Sequence, residues 1–143
     1  MQPNYLDDEQ AKNLAVFNFN TKNKAQIYVK VEPTYLEKQS HIGSYIFSYK
    51  VYIENIGDIT SQIIARNWII TDGQGEVREV KGLTIVGEQP ILQPKQKHEY
   101  TSTVTIPTKV GTMKGTYLCI TENGDLFAAP IAEFTLALPM VLH

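Results

Sequence analysis

The sequence has one cysteine, no long apolar run and only a small excess of acidic over basic side chains. The single Cys119 cannot form an internal disulfide, which excludes the disulfide-rich class of secreted domains. The longest apolar run, residues 126–132, contains Pro130 and is far shorter than the roughly 18 residues of a membrane-spanning helix. The 13 basic and 15 acidic side chains give a net charge of -2, which disfavours a chain that coats nucleic acid or anionic lipid.

The first residues also lack the features of a secretory signal peptide. Asp7, Asp8 and Glu9 make this stretch acidic where a signal peptide is basic, and no apolar segment of about 7–15 residues follows. We therefore expect a soluble, cytoplasmic protein. The same acidic residues suit the first turn of a short helix. We predict that residues 1–24 form an N-terminal tail or short added element and that residues 25–143 form one domain.

Alanine and leucine are scarce, at 18 of the 143 residues together, which argues against a helical bundle. In their place are 10 valines, 15 isoleucines, 13 threonines and 14 aromatic residues, which favour pleated sheet. A chain of this length buries about two-thirds of its surface on folding, so it needs no disulfide or metal for stability. The composition predicts a single domain built from β-strands.

Apolar and polar residues alternate through most of the chain from Gln26 onward, as expected for strands with one buried face. Residues 45–54 are the cleanest example, whereas residues 63–71 are apolar on both faces, as in a central strand. Residues 76–81 carry mixed charges, which is typical of an edge strand. Seven or eight short strands without helical spacers predict an all-β, antiparallel β-sandwich. The other predicted strands are residues 26–32, 99–106, 115–121 and 127–138, and the predicted turns are residues 55–58, 72–75 and 122–125.

Several short motifs of the sequence resemble those of the ApaG domain family, and their order and spacing match the family pattern. The similarity covers about residues 25–143. The motifs are residues 66–72 (RNWIITD), 85–90 (IVGEQP), 92–94 (LQP), 100–102 (YTS), 111–117 (GTMKGTY) and 134–136 (FTL), together with Gly75 and residues 80–82.

The resemblance implies an immunoglobulin-like or fibronectin type III-like sandwich with no established enzymatic activity. It also implies, for bacterial members, a link with cobalt and magnesium resistance or efflux, and, for larger eukaryotic proteins, a protein-interaction module. We therefore expect a non-catalytic recognition or regulatory module with a protein partner, no cofactor, and no nucleic-acid or membrane partner. Homo-oligomer formation stays open.

The glycine loop departs from the family pattern, because Thr84 stands where the middle glycine of Gly-x-Gly-x-x-Gly is usual. The loop retains Gly82 and Gly87 and is followed by Glu88, Gln89 and Pro90. A phosphate loop needs converging N–H groups and usually a helix N-terminus behind them, and a carboxylate and a proline oppose both. A structural turn is the favoured interpretation, and anion binding is the alternative.

Arg66 is the most informative single residue, because it interrupts an otherwise apolar strand. A buried guanidinium must be paired or stacked, or it is costly. In one interpretation its stem packs beside Trp68 with the charged head at the sheet margin. In the other it receives a carboxylate or phosphate from a partner. Trp68 itself is most simply a core aromatic residue.

Metal and catalytic sites have little support in the sequence. His41, His98 and His143 stand far apart, and no histidine or cysteine pair has the spacing of a metal site. Ser102 is not in a nucleophile elbow, and Cys119 lies in a predicted strand, where it packs as a small apolar residue. We predict no catalytic residues and no metal ligands. Two turn pairs, Asp72 with Glu76 and Glu122 with Asp125, would bind Mg²⁺ only weakly.

A binding surface is the remaining possibility. Tyr28, Ile46 and Tyr52 occupy strand positions opposite the predicted core faces. The second sheet or the N-terminal segment covers them in one interpretation; in the other they form an exposed apolar patch that marks a partner or self-association site. A peptide strand added at an open sheet edge is another route. Alternative functions are a small-ligand binder of phosphate compounds or divalent metal ions, and a hydrolase of phosphate compounds. The candidate residues for binding a ligand or partner are Arg66, Trp68, Gly82, Gly87, Glu88 and Gln89.

Overall fold

The computed structural model describes residues 24–139, which form eight β-strands and a short 3₁₀ turn, Glu37–Gln39, between the first two of them. In chain order the strands are β1 (Ile27–Tyr35), β2 (Tyr45–Asn55), β3 (Ser61–Asp72), β4 (Val77–Gly82), β5 (Ile91–Leu92), β6 (Lys97–Ile106), β7 (Val110–Thr121) and β8 (Leu126–Ala137).

The strands form two sheets in which every pairing is antiparallel. The small sheet has the order β1-β2-β6, and the large sheet has the order β4-β3-β7-β8. The two-residue β5 pairs with the start of β3, on the side where β4 pairs with its later part. The predicted all-β, antiparallel sandwich is confirmed, with eight strands.

The core lies between the inner faces of the two sheets. In β2 the alternation predicted from the sequence is regular, and Tyr45, Phe47, Tyr49, Val51 and Ile53 are all buried. They pack in one cluster with buried side chains of the large sheet. Burial of each large apolar side chain contributes about 1.5–3 kcal/mol, so this interface is the main source of stability. The large-sheet members include Ile63, Trp68, Ile70, Met113, Tyr117 and Ile131.

The prediction for the charged strand at residues 76–81 is also confirmed. It corresponds to β4, which has one neighbour, β3, and so lies at a sheet edge. The hairpin that connects the two strands forms at the predicted turn. There the Asp72 carboxylate accepts the N–H groups of Gln74, at 2.8 Å, and Glu76, at 3.1 Å, while Gly75 has a φ of 85°.

A β-bulge in β3 corrects one detail of the sequence analysis. Simple alternation predicts Ile64 on the same face as Arg66 and Trp68. The register instead shifts between Ile63 and Ala65, so an extra residue is inserted at this point. Ile63 is therefore the fully buried residue, at 1% exposure, and Ile64 is only half-buried. A bulge of this kind leaves no periodic signal, because it interrupts the alternation that reveals a strand.

Strand β7 begins five residues before the predicted start at Gly115. Gly111 and Gly115 weaken the apolar pattern of the sequence, so the pattern does not reveal the start of the strand. Both lie inside β7, where the neighbouring strand β3 approaches them too closely for a side chain. A Cβ atom on Gly115 would lie 2.4 Å from the carbonyl oxygen of Asn67 and 3.0 Å from the Trp68 ring. These glycines allow the large sheet to close around the buried tryptophan.

Two sequence predictions fall on residues that are not described. The N-terminal element of residues 1–24 lies outside the described residues except for Lys24, and His143 also lies outside them. Within residues 24–139, no helix has the length and apolar character needed to cross a membrane.

Candidate functional site

The loop of residues 83–90, between β4 and β5, is held firmly against β3. The Arg66 Nε donates a hydrogen bond of 2.8 Å to the Thr84 carbonyl. The Gln89 side-chain amide donates to the carbonyls of Leu83, at 2.6 Å, and Ile64, at 3.0 Å. Within the loop, Ile85 is 1% exposed and anchors it in the core. The sequence candidates Arg66 and Gln89 thus both position this loop.

The tip of the loop is a tight turn. The backbones of Ile85 and Glu88 exchange hydrogen bonds of 2.8 and 3.1 Å, so these two N–H groups are already used. Val86 and Gly87 both have positive φ, 49° and 80°. This conformation is ordinary for glycine and costly for a β-branched residue. Of the two interpretations of this glycine loop, the geometry favours the structural turn.

Apolar side chains project into solvent from this fixed loop and the strand after it. Leu83 is 76% exposed, Val86 is 59% exposed and Ile91, the first residue of β5, is 61% exposed. Because Ile85 and the Gln89 hydrogen bonds hold the backbone, these side chains cannot turn inward without breaking those contacts. We call Leu83, Val86 and Ile91 the loop patch.

Gly82 has a structural role beside Arg66. The two residues lie opposite each other in the pairing of β3 with β4. A Cβ atom on Gly82 would lie 2.9 Å from Arg66 Nη2 and 3.0 Å from Cζ, so the absent side chain leaves room for the guanidinium. No carboxylate within residues 24–139 forms a salt bridge with Arg66. In the described part of the chain, its one hydrogen-bond acceptor is the Thr84 carbonyl.

A cleft of about 450 Å³ opens between the two sheets, where the edges of β4 and β6 face each other. We call it the arginine cleft, because two cations and no carboxylate line it among residues 24–139. The volume is in the range of small-ligand sites. Its lining includes Arg66, Arg78, Trp68, Tyr100, Ser102 and Met113.

Arg78 and the hydroxyl groups of this cleft did not emerge from the sequence analysis. Arg78 donates from Nη2 to the Thr105 carbonyl of β6 at 3.1 Å and so bridges the two edges. The Ser102 hydroxyl lines the cleft without a partner among the described residues. The hairpin turn at Asp72 could have predicted the position of Arg78. It fixes a register in which Arg78 lies opposite Ile70 and therefore on the inner face.

Two tyrosine hydroxyls, those of Tyr100 and Tyr117, hydrogen-bond to each other beside the cleft. Burial raises the pKa of Tyr100 to about 12, although the Arg66 charge opposes this rise. Burial also raises the pKa of Tyr117, again against the Arg66 charge. Both side chains are therefore neutral near pH 7. If Tyr117 donates to Tyr100, the Tyr100 O–H is left to donate to a ligand.

Trp68 lies beneath the cleft as a core residue, at 2% exposure. Its ring makes edge-on contacts with Tyr49, at 5.3 Å between centroids, and with Phe134, at 6.0 Å. It is the only tryptophan of the chain, so its fluorescence reports on this place.

Glu88, His98 and Cys119 are not among the residues that line the arginine cleft. Glu88, at the loop tip, is exposed and lies 4.0 Å from His98 Nε2 on β6. No group of three or more histidine, cysteine, aspartate or glutamate side chains within residues 24–139 is placed to hold a metal ion. Cys119 is fully buried, and burial raises the pKa of its thiol to about 12, so the thiolate is disfavoured at neutral pH.

The outer face of the small sheet is charged, whereas the sequence suggested an apolar patch of Tyr28, Ile46 and Tyr52. All three are half-buried. The Tyr52 hydroxyl donates to Glu32 at 2.9 Å, and the ammonium groups of Lys30 and Lys50 lie 5.9 and 5.2 Å from its ring centroid. Cations and a carboxylate thus surround the most prominent ring of this face.

Comparison with known proteins gives consistent results. The profile of the ApaG domain matches residues 36–121. The Protein ApaG of Nitrosospira multiformis is 49% identical over 122 residues, which cover 84% of this chain and 96% of that one. The Protein ApaG of Bordetella pertussis is 51% identical over 117 residues, which cover 80% and 89%. A crystal structure from Bordetella pertussis, described as an ApaA protein, has a TM-score of 0.80 at 49% identity and covers 82% of this chain and 97% of that one.

Proposed function

The chain belongs to the ApaG domain family, and on that basis we propose that it is a non-catalytic recognition module that binds a partner protein. The observation that carries the proposal is the loop patch. Leu83 and Val86 are exposed on a loop whose backbone is held by Ile85, Arg66 and Gln89. Function in folded domains concentrates on loops of this kind, positioned by a rigid scaffold.

The loop patch supports recognition because its exposure has a cost in the isolated chain. Removing apolar surface from water is favourable by about 25 cal/mol for each Å², so a partner that covers these side chains gains this free energy. The positive φ of Val86 adds backbone strain at the tip. The surrounding structure maintains both features, as expected for a surface that is completed by another molecule.

The non-catalytic part of the proposal is supported by the state of the nucleophile candidates. Cys119 is buried with a raised pKa. Ser102 has no hydrogen bond to a base among the described residues. The link of the family with cobalt and magnesium, the cytoplasmic location and the boundary between residues 1–24 and the domain of residues 25–143 stay predictions.

Site-specific photocrosslinking in the native cell tests the proposal. A photoreactive phenylalanine analogue at Leu83 should give a discrete adduct with a partner protein. The matched control is the same analogue at Ile42, which is 96% exposed in the turn between β1 and β2, away from the loop. Adducts of equal yield and pattern at both positions, or none at Leu83, would contradict the proposal.

A further inference from the structure

The open edge of β6 is the least protected strand edge of the described fold. The sheets have four lateral edges, formed by β1, by β4 together with the two-residue β5, by β6 and by β8. Native proteins protect such edges with charges or prolines. Strand β6 has its charged residues, Lys97 and Glu99, at its start, and residues 100–106 (YTSTVTI) have neither charge nor proline, with four residues of high β propensity in succession. The other three edges carry Lys30, Glu32 and Pro33 in β1, Arg78, Glu79 and Lys81 in β4, and Pro130 and Glu133 in β8.

The direction of the β6 backbone follows from hydrogen bonds on both sides of the small sheet. The Ile46 carbonyl accepts a hydrogen bond from the Leu36 N–H, so the backbone N–H and C=O groups of Ile46 point away from β6. Its partner in β6 is Thr105, whose carbonyl points to the open edge and accepts from Arg78 instead. Because the pattern repeats every second residue, the N–H and C=O groups of Thr101 and Thr103 also point to the open edge.

The charges beside this edge indicate what would pair with it. Arg66 and Arg78 line the same cleft, and their strand positions are four residues apart in the register of β3 with β4. At about 3.3 Å per residue this separation is about 13 Å, with the apolar Trp68 position between them. Asp72 and Glu76 border the far side of Arg78, but neither forms a salt bridge with it within residues 24–139.

We propose that the β6 edge and the arginine cleft together bind an extended acidic segment of a partner protein, which adds a strand to the small sheet. Alternate side chains of an added strand point to the same face, so acidic residues at positions i and i+4 would match the spacing of Arg66 and Arg78. An apolar residue at i+2 would lie over Trp68. The Ser102 and Tyr100 hydroxyls provide neutral donors beside it.

A second copy of this chain fits the edge less well. Residues 100–106 contain no acidic side chain, so pairing of β6 with β6 would bring nothing to the two arginines. This inference rests on the proposed function of protein recognition and specifies the chemistry of the partner. It uses a surface adjacent to the loop patch, since Val86 also lines the cleft.

The test uses the full chain and a synthetic peptide, Ac-TETVTET-NH2, with a glutamine version, Ac-TQTVTQT-NH2, as its control. The peptide should slow hydrogen exchange at the Thr101 and Thr103 amides and change Trp68 fluorescence. The amides of Ser102 and Val104 already pair with β2 and should not change. The glutamine peptide should bind at least about tenfold more weakly, because it lacks the charge-assisted contacts.

Two pairs of variants separate the edge from the charge. Arg78→Gln should weaken binding about tenfold, whereas Lys81→Gln, which removes the same charge from the outer face of β4, should have less than about a twofold effect. Thr103→Pro removes an edge N–H and should abolish the exchange protection, while Thr103→Val should bind normally. Urea unfolding checks that each variant is folded.

Several outcomes would overturn the inference. These are equal binding of the two peptides, unchanged exchange at Thr101 and Thr103, and equal effects of Arg78→Gln and Lys81→Gln. Binding of phenyl phosphate without binding of the acidic peptide would assign the cleft to a small anion. A dimer of the free chain that Thr103→Pro dissociates would assign the edge to a second copy. An adduct at Leu83 without peptide binding would leave the proposed function intact and remove only this inference.

Discussion

The two edge strands of the small sheet, β1 and β6, differ in how well they are protected against pairing with another strand. Strand β1 carries Lys30, Glu32 and Pro33, and it lies alongside β8 of the large sheet. Lys30 and Glu32 form an ion pair of 3.5 Å on its surface. Strand β6 carries charge only at its start, where Glu99 pairs with Lys50 at 3.3 Å, and it is uncharged from Tyr100 to Ile106. The space beside this uncharged part is the arginine cleft. The same sheet therefore has one edge that is protected against pairing and one that is available for it.

This difference indicates how the fold divides stability from recognition. The covered side of the sandwich, at β1 and β8, contributes mainly to cohesion. The open side, at β4 and β6, brings together the two arginines, the tyrosine hydroxyl pair and the loop patch. A change that acts on β6 should therefore affect binding more than stability, provided that it acts on the open side of the strand.

The largest expected effect comes from proline at neighbouring positions of β6. Ser102 donates its N–H to β2, whereas Thr103 directs its N–H to the open edge. Ser102→Pro should lower the free energy of unfolding by about 3 kcal/mol or more, and Thr103→Pro by about 1 kcal/mol or less. Urea unfolding followed by circular dichroism measures both. Equal losses would show that the assigned backbone direction is wrong.

The next largest effect is a loss of folding stability at alkaline pH, caused by the buried tyrosines Tyr100 and Tyr117. The pKa of Tyr100 is raised to about 12, and that of Tyr117 is also raised, while an unfolded tyrosine titrates near 10. Above pH 10 the unfolded chain loses these protons first, so the stabilisation is complete below pH 10 and is lost as the pH rises toward about 12. Each pH unit costs up to about 1.4 kcal/mol per tyrosine.

Two phenylalanine variants show which tyrosines cause this alkaline loss. Urea unfolding at pH 9 and pH 11 should show a smaller pH dependence for Tyr117→Phe than for the wild type. Tyr52→Phe, on the outer face of the sheet, should keep the wild-type dependence for the most part. The reverse order would contradict the assignment to the buried pair.

A smaller effect is expected at the loop beside the cleft. Gln89→Ala removes the side-chain hydrogen bonds to the Leu83 and Ile64 carbonyls. It should lower the free energy of unfolding by about 1 kcal/mol and speed proteolytic cleavage within residues 83–90. Gln74→Ala, in the exposed hairpin, is the control and should change neither. Unchanged cleavage in Gln89→Ala would show that these bonds do not hold the loop.

The smallest expected effect is the heat of binding of Co²⁺ or Mg²⁺. Among the described residues, Glu88 and His98 form an acid–histidine pair 4.0 Å apart, and Glu88 is exposed. Two such ligands bind a divalent ion weakly. Isothermal titration calorimetry with either ion should therefore show no stoichiometric, micromolar binding. A one-to-one site that Glu88→Gln removes would instead indicate a direct role in metal homeostasis.

Most of the fold could be predicted from local pattern, and most of the site could not. The alternation in β2 and the charges of β4 are local signals, and both predictions hold. Arg66 could be identified as a candidate from the sequence, because a cation in an apolar strand is unusual. Arg78 and Tyr100 lie in different sheets, and their meeting depends on which edges face each other across the sandwich. The bulge at Ile64 depends likewise on pairing with β7, which no short segment of sequence encodes.

Residue-resolved amide hydrogen exchange along β6 in the free protein measures directly whether this edge is open. We predict an alternating pattern, with fast exchange at Thr101 and Thr103 and slow exchange at Ser102 and Val104. Equal, strong protection of all four amides would mean that the edge is already paired, and it would contradict the division into a protected and an available edge.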